Sequence, residues 1–191
     1  CTVRLSANGR PQPGNRVRIA DPETDAVLPA GATGEIQMQG ATLTTGYFNR
    51  PDATAAAFTA DGWLRSGDLG RMDGDGVLTY IARLKEIIRV GGENLAPAEV
   101  EQVLRDACRV QQVCVLGMPD PRLDEVAAAV VVGTPSVDWQ AVLSEMRTRL
   151  AGFKMPKSIY TADELPMTAT NRVQRAVLRE WIVGGRLRRV A

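Results

Sequence analysis

The stretch YIARLKEIIRVGGENLAPAEVE, residues 80–101, decides how this chain is built. It opens on the end of an apolar strand and enters a charge cluster, Arg83, Lys85 and Glu86. A short β-branched run follows at 87–90, then the glycine pair Gly91 and Gly92. Pro97 suits the first turn of a helix, and Glu99 and Glu101 suit its positive end. Strand, polar joint, second strand, glycine turn and helix together predict a junction between two units.

Upstream of the junction the chain reads as β-rich. Val17 and Ile19 mark a strand closed by the Asp- and Pro-containing turn at 21–25. Ile36 and Met38 alternate with Glu35, Gln37 and Gln39, which predicts one half-buried strand with its polar residues outward. A short helix is expected over 51–58, opened by Pro51. The Asp-Gly-Asp-Gly run at 73–76 predicts a tight hairpin into a strand over 77–81. This half is expected to be a small barrel or sandwich, or part of one.

Downstream, Val100, Val103, Leu104 and Ala107 share one face of a helix expected over 97–107. A strand over 113–116 is expected to end in the loop 118–121. The run 126–132 is apolar throughout, which suggests burial on both faces or a place in a sheet centre. Asp138 can cap a helix running to Leu150, and Gly152 can end it. A strand at 158–161, a polar loop at 168–172 and a helix through Ile182 complete an α+β unit. The basic cluster Arg186, Arg188 and Arg189 reads as a solvated, frayed tail.

Composition bounds the chemistry. The 191 residues carry 23 Lys and Arg, 22 Asp and Glu and no histidine, for a net charge of +1. Nothing global steers such a chain toward nucleic acid or an anionic membrane. The apolar run 126–132 is far shorter than the ~20 residues a membrane span needs. Cys1, Cys108 and Cys114 lack C-x-x-C spacing and are expected to be reduced, as in the cytoplasm. Without histidine, Ser-His-Asp and Cys-His nucleophiles and histidine metal sites are excluded within these residues. The remaining tools are arginine, lysine, carboxylates and backbone amides.

Four stretches stand out: 66–68, 83–94, 153–157 and 168–175. Singly, each has a plain structural explanation. Asp68 can close a turn, Arg83 and Glu86 can form a surface ion pair, Gly91 and Gly92 can be an ordinary turn, and the loop 168–171 can cap the last helix.

Their order and spacing carry more. The segments GATGEIQMQG, GYFNRPDATAAAF, DGWLRSGDLG, YIARLKEIIRVGGENLAPAEVE, FKMPK and TATNRVQR occur in sequence. In that order they resemble the C-terminal portion of the adenylate-forming (AMP-dependent synthetase/ligase) superfamily, most closely its acyl-CoA synthetases. The resemblance covers almost the whole chain. It implies an α+β fold: the β-rich end of a barrel subdomain over 1–84, then a small mobile C-terminal domain over 85–191. It also implies an ATP-dependent acid–thiol ligase that turns carboxylate and ATP into acyl-adenylate and pyrophosphate, then passes the acyl group to a thiol.

The same resemblance assigns residues. Asp68 matches the aspartate that accepts the ribose hydroxyls of ATP or AMP, a task suited to two carboxylate oxygens. Arg83 matches an arginine that reaches the nucleotide, and Lys85 falls at the hinge. Gly92 matches a glycine on the pantetheine path of coenzyme A, where a side chain would obstruct passage; Arg89, Phe153 and Lys157 are further candidates along it. Met155 stands where some members carry arginine. At the last motif, family members read T-G-K; here Thr170, Asn171 and Arg172 stand in those places, so Arg172 is the candidate catalytic residue. Arginine keeps the charge of the lysine but replaces a compact ammonium with a planar fork. Ala82 stands where many members have glycine.

No P-loop G-x-x-x-x-G-K-[ST] pattern occurs, and nothing corresponds to the family's large N-terminal domain with its acyl pocket. The expectation is a C-terminal fragment, inactive alone, whose partners are a small carboxylic acid, ATP, coenzyme A and the N-terminal domain, with Mg2+ held mainly by that domain. The alternatives are a carrier-protein-loading adenylation domain and a degenerate, non-catalytic homologue.

Overall fold

The computed structural model describes residues 7–133 and 137–191; Cys1 lies outside them. The chain divides into two compact units, Cys1–Lys85 and Glu86–Ala191. Among the described residues, no helix is long and apolar enough to cross a membrane.

The first unit is built on β1 (Asn15–Ala20), β2 (Thr33–Gly40), β3 (Leu64–Met72) and β4 (Leu78–Arg83), with helix α1 (Pro51–Ala57) between β2 and β3. The strands form one antiparallel sheet in the order β1-β2-β3-β4. Its last hairpin is organised by Asp73, whose Oδ1 accepts the N–H groups of Asp75 and Val77 at 3.0 and 2.9 Å. That side-chain bonding to nearby backbone is what makes Asp a turn former.

Strand β2 departs from the expectation of outward polar residues. Glu35 is 3% exposed and Gln37 is fully buried, alongside Ile36 at 5%. Buried polar groups persist only when paired, and here they are. Arg18 Nε donates to Gln37 Oε1 at 2.8 Å, and Gln37 Nε2 donates to Asp25 Oδ1 at 2.7 Å. Arg65 also contacts the Asp25 carboxylate.

The second unit begins with the end of a 3-10 turn, Leu84–Glu86. It continues through β5 (Ile88–Val90), β6 (Glu93–Leu95), α2 (Pro97–Cys108), β7 (Val113–Asp120), β8 (Asp124–Val132), α3 (Trp139–Arg149), β9 (Ser158–Ala162), α4 (Arg175–Val183) and β10 (Arg188–Arg189). β8 is the central strand: β7 runs antiparallel along one edge, while β9, parallel, and β5 share the other. The apolar run 126–132 within it follows from its two covered faces. Ala127, Ala129 and Val131 pack with Val100, Val103 and Leu104 of α2 and Val142 and Met146 of α3. Val130 packs with Leu178 of α4 on the other face.

Three expectations are corrected. Residues 118–120 are not a loop but the end of β7, where Pro119 pairs opposite Glu125. β7 pairs only with β8, and an edge strand tolerates the donor that proline lacks. Helix α3 ends at Leu150, which is already extended at φ −118° and ψ 142°, and Gly152 instead opens a 3-10 turn, Gly152–Lys154. The basic C-terminus is ordered rather than frayed. β10 pairs with β9, Arg186 stacks over the Trp181 ring at 4.8 Å, and Arg189 donates to the Lys157 carbonyl at 3.0 Å. The α3 cap holds as expected: Asp138 accepts from the amides of Gln140 and Ala141.

Candidate functional site

In the first unit, Asp68 and Arg83 face each other across β3 and β4. The strand kinks just before Asp68, where Gly67 takes φ +68°, a conformation that glycine adopts without strain. Three contacts hold the kink. Gly67 N–H donates to buried Glu35 Oε1 at 3.0 Å, Asp68 N–H donates to Ser66 Oγ at 3.0 Å, and Arg83 Nη1 donates to the Ser66 carbonyl at 3.1 Å. Arg83 Nε also lies 3.0 Å from Asp68 Oδ1. That approach is a charge contact without hydrogen-bond alignment, and Oδ1 is shielded from solvent with no hydrogen-bond partner. A buried acceptor without a donor is costly unless a ligand or water supplies one.

Sequence reasoning missed Glu35, which supports this turn from below. The signal available was its alternation with apolar neighbours, and alternation alone does not say which side of a sheet is covered.

Lys85 is exposed within the 3-10 turn, and the division between the two units falls directly after it. Beyond it, β5 and β6 form a hairpin joined by Gly91 and Gly92, with Val90 opposite Glu93. Both glycines have positive φ, +58° and +88°, as a two-residue type I′ turn requires. A Cβ on Gly91 would stand 3.1 Å from Leu123 Cδ1's geminal partner Cδ2, whereas one on Gly92 would meet nothing within 4 Å. Arg89 is exposed on β5, and its backbone N–H donates to Glu125 Oε2 at 3.1 Å.

The hairpin borders a cleft of about 240 Å³ whose lining includes Gly91, Glu93, Leu123, Phe153, Met155 and Lys157. The structure therefore brings Phe153 and Lys157 together with the glycine turn. Lys154, between them in sequence, is engaged elsewhere, with Nζ 2.7 and 2.8 Å from the Glu99 carboxylate.

Arg172 sits exposed on a separate loop, closed by the bridge between Met167 and Val173. Thr168 N–H donates to the Arg172 carbonyl at 2.8 Å, and Arg172 N–H returns to Thr168 Oγ1 at 3.1 Å. Asn171 takes φ +59°, the left-handed conformation that Asn tolerates better than most side chains.

Among the described residues, neither cysteine is a nucleophile candidate. Burial pushes the Cys108 thiol up to about 11 and the Cys114 thiol up to about 12. Among the described residues, no three His, Cys, Asp or Glu side chains converge as a metal site, so these residues do not fit a Mg2+ centre of their own.

Comparison with known proteins identifies the family. Residues 99–172 match the AMP-binding enzyme C-terminal domain. Feruloyl-CoA synthase of an Amycolatopsis species is 42% identical over 178 residues, covering 92% of this chain and 36% of that protein. The long-chain-fatty-acid–CoA ligase FadD13 of Mycobacterium tuberculosis is 40% identical over 157 residues, covering 82% of this chain and 31% of that protein. Among solved structures, ATP-bound MatB from Rhodopseudomonas palustris superposes with a TM-score of 0.84 at 36% identity, over 92% of this chain and 35% of that one. The o-succinylbenzoate CoA synthetase MenE from Bacillus subtilis, in complex with its acyl-adenylate intermediate, gives 0.85 at 34% identity, over 92% and 36%. The chain spans about a third of the length of the curated relatives it matches. It carries the AMP-binding enzyme C-terminal domain and belongs, with these CoA ligases, to the adenylate-forming superfamily.

Proposed function

We propose that these residues serve an ATP-dependent acyl- or aryl-CoA synthetase. In the first half-reaction a substrate carboxylate oxygen attacks the α-phosphorus of ATP, forming the acyl-adenylate and expelling pyrophosphate. In the second, the sulfur of coenzyme A attacks the acyl carbon, the thiol proton leaves to solvent, and AMP departs. The observation that carries this reading is the Asp68 carboxylate, a quarter exposed, held beside the guanidinium of Arg83. The solvent-open part of that carboxylate suits a ribose hydroxyl, and Arg83 adds positive charge beside the nucleotide.

Lys85 is the pivot between the two half-reactions, lying where the compact units divide. Residues 1–84 form the end of the large domain, and residues 85–191 the mobile one. Arg172 stabilises charge on the α-phosphate as the adenylate forms, less closely than a lysine ammonium would. Gly92, Arg89, Phe153 and Lys157 border the path of coenzyme A. The cleft that Phe153 and Lys157 share supports this, since one offers an aromatic face to adenine and the other a cation to phosphate. Mg2+ would be held by residues other than those described.

The test is ATP–pyrophosphate exchange with a panel of carboxylic acids, followed by transfer to coenzyme A. A ligase containing this sequence within a chain of its relatives' length is expected to exchange and then consume coenzyme A; the isolated 191 residues are expected to do neither. Loading of a carrier protein in place of coenzyme A would identify an adenylation domain. Absence of any adenylate would identify a non-catalytic homologue, the second reading, whose motive is the arginine at position 172.

A further inference from the structure

Arg175, the first residue of α4, stands among carboxylates from two other elements. Its Nη1 lies 3.2 Å from Glu86 Oε1, at the end of the 3-10 turn that contains Lys85. Its Nη2 lies 3.4 Å from Glu101 Oε1 on α2. Glu101 is tied further inward, since the same Oε1 accepts the Val115 N–H of β7 at 3.0 Å. One guanidinium thus joins the end of the 3-10 turn, α2, α4 and, through Glu101, the sheet. The same residue ends the Arg172 loop: Arg175 N–H donates to the Val173 carbonyl at 3.2 Å, and Gln174 N–H donates to the Pro166 carbonyl at 2.8 Å.

An ordinary surface ion pair does not look like this. Surface pairs join two exposed, flexible side chains and contribute little. Glu101 is only 13% exposed, Arg175 and Glu86 are 29% and 31% exposed, and Arg175 Nε is buried, so the guanidinium is partly shielded and shared between two carboxylates. A lysine, with its single ammonium, could not span both with the same fork.

We propose that Arg175 is a positioning residue that fastens Glu86 to the second unit, so that the freedom of the joint ends at Lys85, and that it anchors the base of the loop carrying Arg172. The significance for catalysis rests on the assignment of Lys85 as pivot under Proposed function; the clamp itself does not.

Amide hydrogen exchange of the 191-residue chain tests the clamp. Arg175→Met is expected to raise exchange at residues 86–89 about tenfold, while β7 and β8 amides stay unchanged. Glu86→Gln, which leaves Arg175 paired with Glu101, is expected to raise the same amides without loosening α4. The double variant is expected to exchange no faster than Arg175→Met alone, because both changes remove one interaction. Unchanged exchange at 86–89 in both single variants, or effects that multiply in the double variant, would overturn the clamp. In a full-length ligase, Arg175→Met is further expected to lower kcat for adenylate formation while KM for ATP stays within about twofold. If exchange responds but neither half-reaction changes, the clamp stands and the pivot assignment falls.

Discussion

Glu35 and Gly67 meet across β2 and β3, where Glu35 Oε1 accepts the Gly67 N–H at 3.0 Å from a side chain that is 3% exposed. The kink that presents Asp68 is therefore held from the covered side of the sheet. Glu35→Ala is expected to destabilise the first unit by about 1–3 kcal/mol, because it leaves a backbone donor unpaired. Glu35→Gln keeps an acceptor and should cost less. Denaturant unfolding followed through Trp63 measures both, and equal losses would show that the amide contact is not what Glu35 contributes.

Asp68→Asn separates binding from folding. The pair with Arg83 is partly exposed, so its loss is expected to change stability by no more than about 1 kcal/mol. In a full-length ligase the same change should weaken ATP binding by about tenfold or more, since a charged acceptor becomes a neutral one. Calorimetric titration with ATP beside thermal unfolding gives both quantities.

Asn171 and Arg172 make different contributions to one loop. Asn171→Gly is expected to stabilise slightly or not at all, whereas Asn171→Ala should cost about 1 kcal/mol at a φ of +59°. Arg172→Lys should leave stability unchanged and, in a full-length ligase, raise the rate of acyl-adenylate formation more than that of thiol transfer. Single-turnover kinetics of the two half-reactions would show whether the fork or the ammonium limits the first step.

The turn glycines should also separate. Gly91→Ala combines left-handed strain with a 3.1 Å approach to Leu123, while Gly92→Ala carries strain alone. About 1–2 kcal/mol is expected for each from strain, with Gly91→Ala the larger loss. If Gly92 borders the path of coenzyme A, its alanine variant should slow thiol transfer beyond what Gly91→Ala does after correction for folded fraction.

Acid dependence follows from Asp61. Hydrogen bonds from the Arg18 guanidinium, then from the Thr59 hydroxyl, hold its carboxyl down at about 2, below the ordinary 3.8. A carboxyl depressed by folding contributes stability that is complete above its unfolded value and lost as pH falls through its folded one. The stability gap between wild type and Asp61→Asn is therefore expected to be constant from pH 7 to about 5 and to close between about 4 and 2. Unfolding curves at stepped pH check this; a gap that closes above pH 5 would assign the effect to another group.

Much of the fold was legible in local pattern. The 3.6-residue spacing of Val100, Val103 and Leu104 marked α2, Asp138 marked the start of α3, and the apolar run around Val126–Val131 marked a strand covered on both faces. What local pattern missed depended on partners distant in sequence. Pro119 reads as a strand breaker until β7 is known to be an edge. Arg188 and Arg189 read as a solvated tail until β9 offers them an open edge.

For the candidate site the division is similar. The order of short motifs, from Asp68 through Lys85 and Gly92 to Arg172, is a property of the chain and identified the superfamily without coordinates. The tertiary structure decided which of these residues meet: Asp68 with Arg83, and Phe153 and Lys157 beside the glycine turn. It also revealed Glu35 and Arg175, whose importance lies wholly in what they touch. The physical reason is that sequence records periodicity and backbone preference, which act over a few residues. Burial and charge pairing instead depend on which distant elements the folded chain brings within about 3–4 Å.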